Sequence, residues 1–179
     1  SMSLYGMIAY TVRCKNSAQY VLEASVKYLV LSATASGFML FGMALIYAQT
    51  GTLAFSSLLD TRLVISDTYT IAAVSLISAG IAFKLSLAPF HIWTPDVYEG
   101  SPIPSTTYLA TIGKAAMFVV LLRFVEISDA LTFKSVVAVF SIIAVISIMV
   151  GNLLALMQDN LKRILAYSSI AHMGYLLIA

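Results

Sequence analysis

Four stretches of about 20 mostly apolar residues limit what this chain can fold into more than any other feature. They cover about 21–48, 68–89, 104–125 and 134–157, and each is long enough for a helix to cross a bilayer. Only 10% of the 179 residues are charged and 60% are hydrophobic, against roughly 25% charged residues in a soluble domain. A soluble fold of this size could not bury so much apolar surface, so the sequence predicts an all-α, polytopic transmembrane helix bundle.

Two shorter apolar segments flank these spans. We interpret residues 1–12 as the tail of one helix and 161–179 as an incomplete last helix, and we expect 1–179 to be one membrane domain of a longer protein. Small residues recur at four-residue spacing, as at Ser147 and Gly151. Such a face lets helix backbones approach closely in lipid, although small residues are also simply common in membrane helices.

Charge and cysteine content exclude several classes of function. The net charge of +2 is small and scattered, whereas nucleic-acid binding needs a basic stripe that neutralises phosphates, so we exclude that class. The single cysteine, Cys14, cannot build a disulfide framework or a thiolate-ligated iron–sulfur cluster. Any redox chemistry is therefore expected elsewhere.

Basic residues in the short loops predict the orientation of the bundle. One side collects Arg13, Lys15, Lys27, Lys162 and Arg163, and the other collects Arg62, Arg123 and Lys134. Because cytoplasmic loops carry an excess of lysine and arginine, we expect the first side to be cytoplasmic. Asp96 and Glu99 should then lie on the same side as Lys162.

Two lysines lie inside predicted spans. Lys84 is in the run that ends at Pro89, and Lys114 is near the middle of 104–125. A lysine at the centre of a membrane helix costs roughly 2.5 to 3.5 kcal/mol on insertion scales, so it usually faces a wet or protein-lined interior and has a function. Removal from water disfavours the ammonium, which would let either side chain exchange a proton. Alternatively, Lys84 could extend to the interface, and Lys114 could form a fixed ion pair with another subunit.

Pro89 is expected to break the helix that carries Lys84. Its ring clashes with the carbonyl of Leu85, and it has no amide proton to donate. A broken helix at membrane depth is tolerated where it is buried in protein or lines a cavity, and transporters use such breaks at ion sites. A second short helix should begin with Thr94 as its N-cap and end near Gly100. A packing kink with no role in ion transport is the alternative.

The last apolar helix carries a polar strip. Ser168, Ser169, His172 and Tyr175 are three or four residues apart, so they share one face. The strip could hold a chain of water molecules, and histidine titrates in the physiological range. A neutral, buried histidine is an equally good interpretation of His172.

Four other residues are expected at the membrane surface. Glu23 and Lys27 are spaced i and i+4, which predicts an ion pair on a helix surface, with a role for Glu23 in proton transfer as the alternative. His91 and Trp93 suit an interfacial belt of aromatic side chains rather than a catalytic role.

The segment 83–100, FKLSLAPFHIWTPDVYEG, strongly resembles the signature of the antiporter-like membrane subunits of respiratory complex I, NADH:quinone oxidoreductase. The segments 109–114, LATIGK, and 160–175, NLKRILAYSSIAHMGY, are similar to the same family, and the resemblance covers essentially the whole chain. Within the family the chain is most similar to the subunit N group, whose mitochondrial counterpart is NADH dehydrogenase subunit 2. The resemblance implies a chain that runs from the tail of the family's helix 5 into its helix 10.

By this resemblance, Lys84 matches the lysine on the family's broken helix 7 and Lys114 matches the lysine on helix 8. His172 matches a polar position on helix 10. The three residues would form a proton relay in which both lysines face one interior pathway, with Pro89 breaking helix 7. The family's key glutamate would lie upstream of this chain, so Glu23 is not that glutamate.

The resemblance also implies the function. The chain would belong to a proton-translocating subunit that couples quinone reduction to proton transport, in a bacterial inner membrane or, alternatively, a mitochondrial one. It would bind no cofactor, since FMN, the iron–sulfur clusters and quinone are held by other subunits of the complex, and its partners would be other membrane subunits and lipid. A subunit of a multi-subunit Na⁺/H⁺ antiporter of the same fold is the main alternative. A membrane scaffold is a third, which two intramembrane lysines disfavour.

Overall fold

The computed structural model describes residues 18–54, 68–127 and 134–179. The helix tail predicted at 1–12 lies outside them, as does Cys14. Seven helices occupy the described residues: α1 Ala18–Thr50, α2 Thr68–Leu85, α3 Trp93–Gly100, α4 Ile103–Ala110, α5 Ile112–Ile127, α6 Lys134–Leu156 and α7 Leu161–Ile178. The predicted all-α membrane fold is confirmed.

Four helical segments are long and apolar enough to cross a membrane: Leu22–Thr50, Thr68–Leu85, Ile103–Glu126 and Val136–Leu156. Their outward side chains are apolar too; for example, Leu40 is 66% exposed and Ile142 is 57% exposed. Such surfaces suit hydrocarbon or neighbouring membrane helices, because the backbone groups of a helix are paired within it, apart from those of its terminal turns.

The helices pack as two pairs, α1 with α2 and α6 with α7, while α5 packs on α2 and the short α3 bridges α1 and α7. At the α6–α7 contact, a Cβ added to Gly151 would lie 2.7 Å from the backbone nitrogen of Ala171. Ser147, one turn earlier, is fully buried. The small-residue face predicted at these two positions therefore forms a close helix contact.

The helix that carries Lys84 is interrupted, as its sequence predicts. α2 ends at Leu85, Ser86 adopts a left-handed conformation with φ of 62°, and α3 begins at Trp93. The Ala88–Pro89 peptide bond is cis. The span predicted over 68–89 thus ends four residues early, because the chain leaves the helix at Ser86 and not at the proline.

Two expectations for the start of α3 are wrong. Ile92 is the N-cap and no side chain caps the helix, so Thr94 lies inside it. Trp93 is only 4% exposed, and its indole Nε1 donates a hydrogen bond of 3.2 Å to the carbonyl of Phe83. Its ring also packs 5.3 Å from that of Tyr28. Trp93 therefore closes the helix break from inside the protein and does not form an interfacial belt.

The span predicted over 104–125 is not one continuous helix. Thr111 separates α4 from α5, with φ of −108° and ψ of −76°. The helical hydrogen-bond ladder ends where the Thr111 amide donates to the Thr107 carbonyl, and it resumes where the Ala115 amide donates to the Thr111 carbonyl. As a result, Lys114 lies in the first turn of a helix and not in the middle of one.

Candidate functional site

Lys114 is the one charged side chain that is fully buried among the described residues, at 1% exposure. Its Nζ donates a hydrogen bond of 2.9 Å to Oγ of Ser169 and lies 6.0 Å from the ring centroid of Tyr98. These partners come from α7 and α3, so three helices meet at the amine. Both partners are neutral, and the tyrosine ring offers its negative face to a cation.

Ser169 and Tyr98 form the rest of this site. The Ser169 hydroxyl accepts from Lys114 and donates to the carbonyl of Ala166 at 2.8 Å. The Tyr98 hydroxyl is buried beside Ser169 without completing a hydrogen bond of good geometry within the described part of the chain. Because a serine hydroxyl can rotate about its C–O bond, Ser169 could donate to Tyr98 instead of Ala166. The amine therefore lies beside two neutral hydroxyl groups that could form a short hydrogen-bonded chain.

Lys84 lies in the last turn of α2 and lines a partly open cavity of about 170 Å³. The other lining residues are mostly apolar: Tyr28, Ser32, Phe83, Trp93, Leu109, Gly113, Ala116 and Met117. The cavity has room for a few water molecules, which Lys84 and Ser32 could bind. Lys84 is half-buried and contributes to the lining of this cavity, and its role in proton transfer stays a prediction.

The cavity beside Lys84 is separate from the contacts that surround the Lys114 amine. The cavity beside Lys84 reaches α5 at Gly113, Ala116 and Met117, but Lys114 is not part of its lining. Lys114 instead points towards Ser169. The single interior pathway expected for the two lysines stays a prediction; a proton moving from this cavity to Lys114 would pass the first turn of α5, which carries both Gly113 and Lys114.

The polar strip of α7 is only partly brought to this site. Ser169 contacts Lys114, but His172, one turn further along, is exposed and has its ring 6.3 Å from that of Tyr175. The Tyr175 hydroxyl accepts a hydrogen bond of 3.1 Å from Nδ2 of Asn152. The relay role of His172 stays a prediction.

Glu23 and Pro89 lie away from Lys114. The Glu23 carboxylate forms the predicted i,i+4 ion pair with Lys27 at 2.7 Å, and its side chain is 60% exposed. Pro89 is exposed and lies within the break, three residues after Ser86, the residue at which the chain leaves the helix. The placement of Lys162 is as predicted, because its Nζ donates to the Glu99 carbonyl at 3.3 Å and so lies on the same side of the bundle.

Sequence reasoning missed Tyr98 as a partner of Lys114 and missed what Ser169 contacts. Ser169 and Lys114 are 55 residues apart, and Tyr98 reaches the amine from a different helix. No spacing within one helix could indicate either contact. The available signal was composition: a tyrosine in a short half-helix, and a serine in an apolar one.

A family model described as NADH:quinone oxidoreductase/Mrp antiporter, TM matches residues 1–179. The chain belongs to this family. It is 53% identical over 180 residues to NADH-quinone oxidoreductase subunit N of Acinetobacter baumannii and 50% identical over 181 residues to that of Nitrosospira multiformis. These alignments cover 100% and 99% of the chain, which spans 35% of the length of each relative. The resemblance found in the sequence is confirmed.

Solved structures extend the comparison to three kinds of complex. The chain is 40% identical to a chain of respiratory complex I from Thermus thermophilus with bound aureothin, with a TM-score of 0.77 over 97% of this chain and 36% of that one. It is 33% identical to a chain of the archaeal membrane-bound sulfane sulfur reductase, with a TM-score of 0.86 over 99% of this chain and 36% of that one. It is 25% identical to a chain of the Mrp complex from Dietzia, with a TM-score of 0.86 over 98% of this chain and 32% of that one. The fold is common to all three, while sequence identity favours complex I.

The family and the four apolar spans make the chain part of an integral membrane protein. Since the curated relatives are bacterial, that membrane is the bacterial inner membrane.

Proposed function

We propose that this chain is part of a proton-translocating membrane subunit of NADH:quinone oxidoreductase, which couples quinone reduction to proton transport. The observation that carries the proposal is the Lys114 amine, fully buried where three helices meet and held by the neutral Ser169 and Tyr98. A buried amine without a carboxylate partner is costly as a structural element. It is well suited to gaining and losing a proton.

The proposed route uses the cavity beside Lys84 and the site around Lys114. Lys84 gives a proton to water in the 170 Å³ cavity, the proton passes the start of α5, and Lys114 accepts it as a neutral amine. Lys114 then donates to the Ser169 hydroxyl, which would release its own proton to a water molecule as it accepts this one, so that serine stays neutral. An ammonium at Lys84 and an ammonium at Lys114 would repel each other, so protons move along the route one at a time.

Other subunits would supply the redox chemistry. The electron carriers, namely FMN, the iron–sulfur clusters and quinone, would be bound by partners, and this chain would contact other membrane subunits. A Na⁺/H⁺ antiporter subunit is the second candidate, because the fold matches the Mrp complex at a TM-score of 0.86. It is less favoured, since identity there is 25% against 40% for complex I.

The test is Lys114→Ala in the full-length subunit within its assembled complex, measured in inside-out membrane vesicles. We expect NADH-driven proton uptake and quinone reduction to fall about tenfold or more, as for loss of a proton-transfer group. Electron transfer from NADH to an artificial acceptor should be unchanged, because it does not involve this subunit.

Complex assembly is checked first by native gel. An assembled Lys114→Ala complex that pumped with the normal proton-to-electron ratio would contradict the relay. Normal NADH-driven pumping together with loss of Na⁺-driven proton movement would instead support the antiporter.

A further inference from the structure

Seven polar residues join the ends of α1, α3 and α7 on one side of the bundle. We name this group the α3 clamp; its members are Glu23, Lys27, Asp96, Glu99, Asn160, Lys162 and Arg163. The proton route proposed above uses none of them. Their arrangement is centred on α3, because Asp96 and Glu99 take bonds from both neighbouring helices.

Ion pairs connect α3 to α1 and to α7. Lys27 Nζ lies 2.8 Å from Oδ2 of Asp96, which ties α3 to α1. Arg163 Nη1 lies 2.8 Å from Oε2 of Glu99 and 3.5 Å from Oδ1 of Asp96, which ties α3 to α7. One guanidinium thus contacts two carboxylates of the short helix, and Asp96 is shared by cations from both sides.

The N-terminal residues of α7 also cap the C-terminal end of α3. Lys162 Nζ donates to the carbonyl of Ser101 at 2.9 Å and to the carbonyl of Glu99 at 3.3 Å. Asn160 Nδ2 donates to Oε1 of Glu99 at 2.9 Å, while its Oδ1 caps α7 by accepting from the Lys162 amide at 3.0 Å. Lysine is suited to this position because it binds the last carbonyls of a helix and favours their partial negative charge.

α3 depends on such contacts for its position. It has only eight residues and no side-chain N-cap. Isolated helices shorter than about 12 residues are marginal in water, so packing with neighbours must hold this one. Trp93 holds its first residue by the bond to the Phe83 carbonyl, and the α3 clamp holds its last turn.

The clamp and the Lys114 site lie on different faces of the same short helix. Asp96 and Glu99 are three residues apart and share the outer face, whereas Tyr98 points inward with 1% exposure. On α7, Arg163 of the clamp precedes Ser169 by fewer than two turns. The two helices that the clamp joins are therefore the two that bring Tyr98 and Ser169 to Lys114.

We propose that the α3 clamp positions the Lys114 site: by fixing α3 against α7, it sets how the Tyr98 ring and the Ser169 hydroxyl surround the amine. This inference rests on the proposed function. Exposed ion pairs add little stability one at a time, so the clamp contributes geometry more than binding strength. Geometry matters here because the Tyr98 ring centroid already lies 6.0 Å from Lys114 Nζ, so a displacement of α3 by about 1 Å would take the ring beyond the usual range of a cation–π contact.

The test uses Glu99→Ala in the full-length subunit, in assembled complex in inside-out vesicles. We expect NADH-driven proton uptake to fall about threefold, a size typical of residues coupled within one network. NADH oxidation by an artificial acceptor should be unchanged. The matched control is Asp159→Ala, which removes an exposed carboxylate from the loop between α6 and α7 without removing a bond of the clamp and should leave proton uptake unchanged.

Two further variants separate positioning from a general loss of stability. In a Ser169→Ala background, adding Glu99→Ala should cause a smaller loss than it does alone, because one of the two contacts that the clamp positions is already gone. The charge exchange of Glu99→Arg with Arg163→Glu should restore most of the proton uptake. If Glu99→Ala fails to assemble, Arg163→Lys keeps the charge but cannot reach both carboxylates and should show a smaller loss.

Full proton uptake in Glu99→Ala or in Arg163→Lys would overturn the inference. So would losses that multiply when Glu99→Ala is combined with Ser169→Ala. If Lys114→Ala abolishes proton uptake while the clamp variants do not change it, only the clamp inference fails. If an assembled Lys114→Ala complex pumps normally, the proposed function fails first.

Discussion

The helix break after Lys84 and the helix break before Lys114 place their lysines at opposite helix ends. Lys84 is in the last turn of α2, where free carbonyls carry a partial negative charge that favours an ammonium. Lys114 is the third residue of α5, where free amides carry a partial positive charge that disfavours one. Two lysines that look equivalent in the sequence thus differ in how well their surroundings support a charge.

The two breaks also differ in how their backbone groups are satisfied. At the first break the partners are remote: the Ala88 amide donates to Oγ of Ser147 at 2.9 Å, and the Trp93 indole donates to the Phe83 carbonyl. Beside the second break the contacts are local: the Thr107 and Thr111 hydroxyls donate to carbonyls four residues earlier in the same helix, and the Thr107 carbonyl also accepts from the Thr111 amide. The first break therefore depends on tertiary packing, and the second is supported by its own sequence.

Arginine at each lysine position would sharpen the comparison most. We expect Lys114→Arg to lower NADH-driven proton uptake about tenfold or more, because arginine keeps its charge and cannot release the proton. Lys84→Arg should also lower proton uptake, because it removes the first donor of the proposed route, but by less, since water in the cavity beside it can still carry a proton. Both are measured in vesicles that contain equal amounts of assembled complex. Equal losses at the two positions would show that the helix ends do not distinguish the lysines.

The sequence could predict the first break but not the second. Pro89 signals an interruption in a helix wherever it occurs, so a break between Lys84 and α3 followed from residue type alone. Thr111 carries no such signal, because a threonine bonded to its own helix is compatible with a continuous span. The apolar runs likewise predicted the membrane spans, since length and hydropathy are local properties.

What the sequence left undetermined depends on contacts between distant segments. The Glu23–Lys27 pair followed from i,i+4 spacing, but Asp96 lies 69 residues from Lys27 and no spacing rule connects them. The position predicted for Trp93 was wrong because amphipathic aromatic side chains are common at membrane interfaces. Here its indole N–H donates to the Phe83 carbonyl inside the protein instead. In both cases, contacts between distant segments of the chain determined where a side chain lies, whereas the sequence alone was compatible with more than one position.

Filling the cavity between the two breaks tests whether water connects the lysines. Gly113 lines this cavity on α5, and a Cβ added there would meet the Tyr108 carbonyl at an ordinary 3.7 Å. We therefore expect Gly113→Ala to fold and pump nearly as the parent does. Gly113→Leu should lower proton uptake several-fold, because its side chain would occupy space needed for water next to Lys84. Normal proton uptake by assembled Gly113→Leu would place the connection between the lysines elsewhere.

Removing one hydroxyl from each break should have the smallest effects, mainly on stability. Ser147→Ala leaves the buried Ala88 amide without its acceptor, which costs about 1–3 kcal/mol, so the complex should lose quinone reductase activity at a lower temperature. Thr107→Ala removes a hydroxyl that bonds only its own helix and should change stability by less than about 0.5 kcal/mol. The comparison is made by thermal inactivation of the assembled complexes. If Thr107→Ala destabilised the complex as much as Ser147→Ala, the distinction between a remotely held break and a locally held one would be wrong.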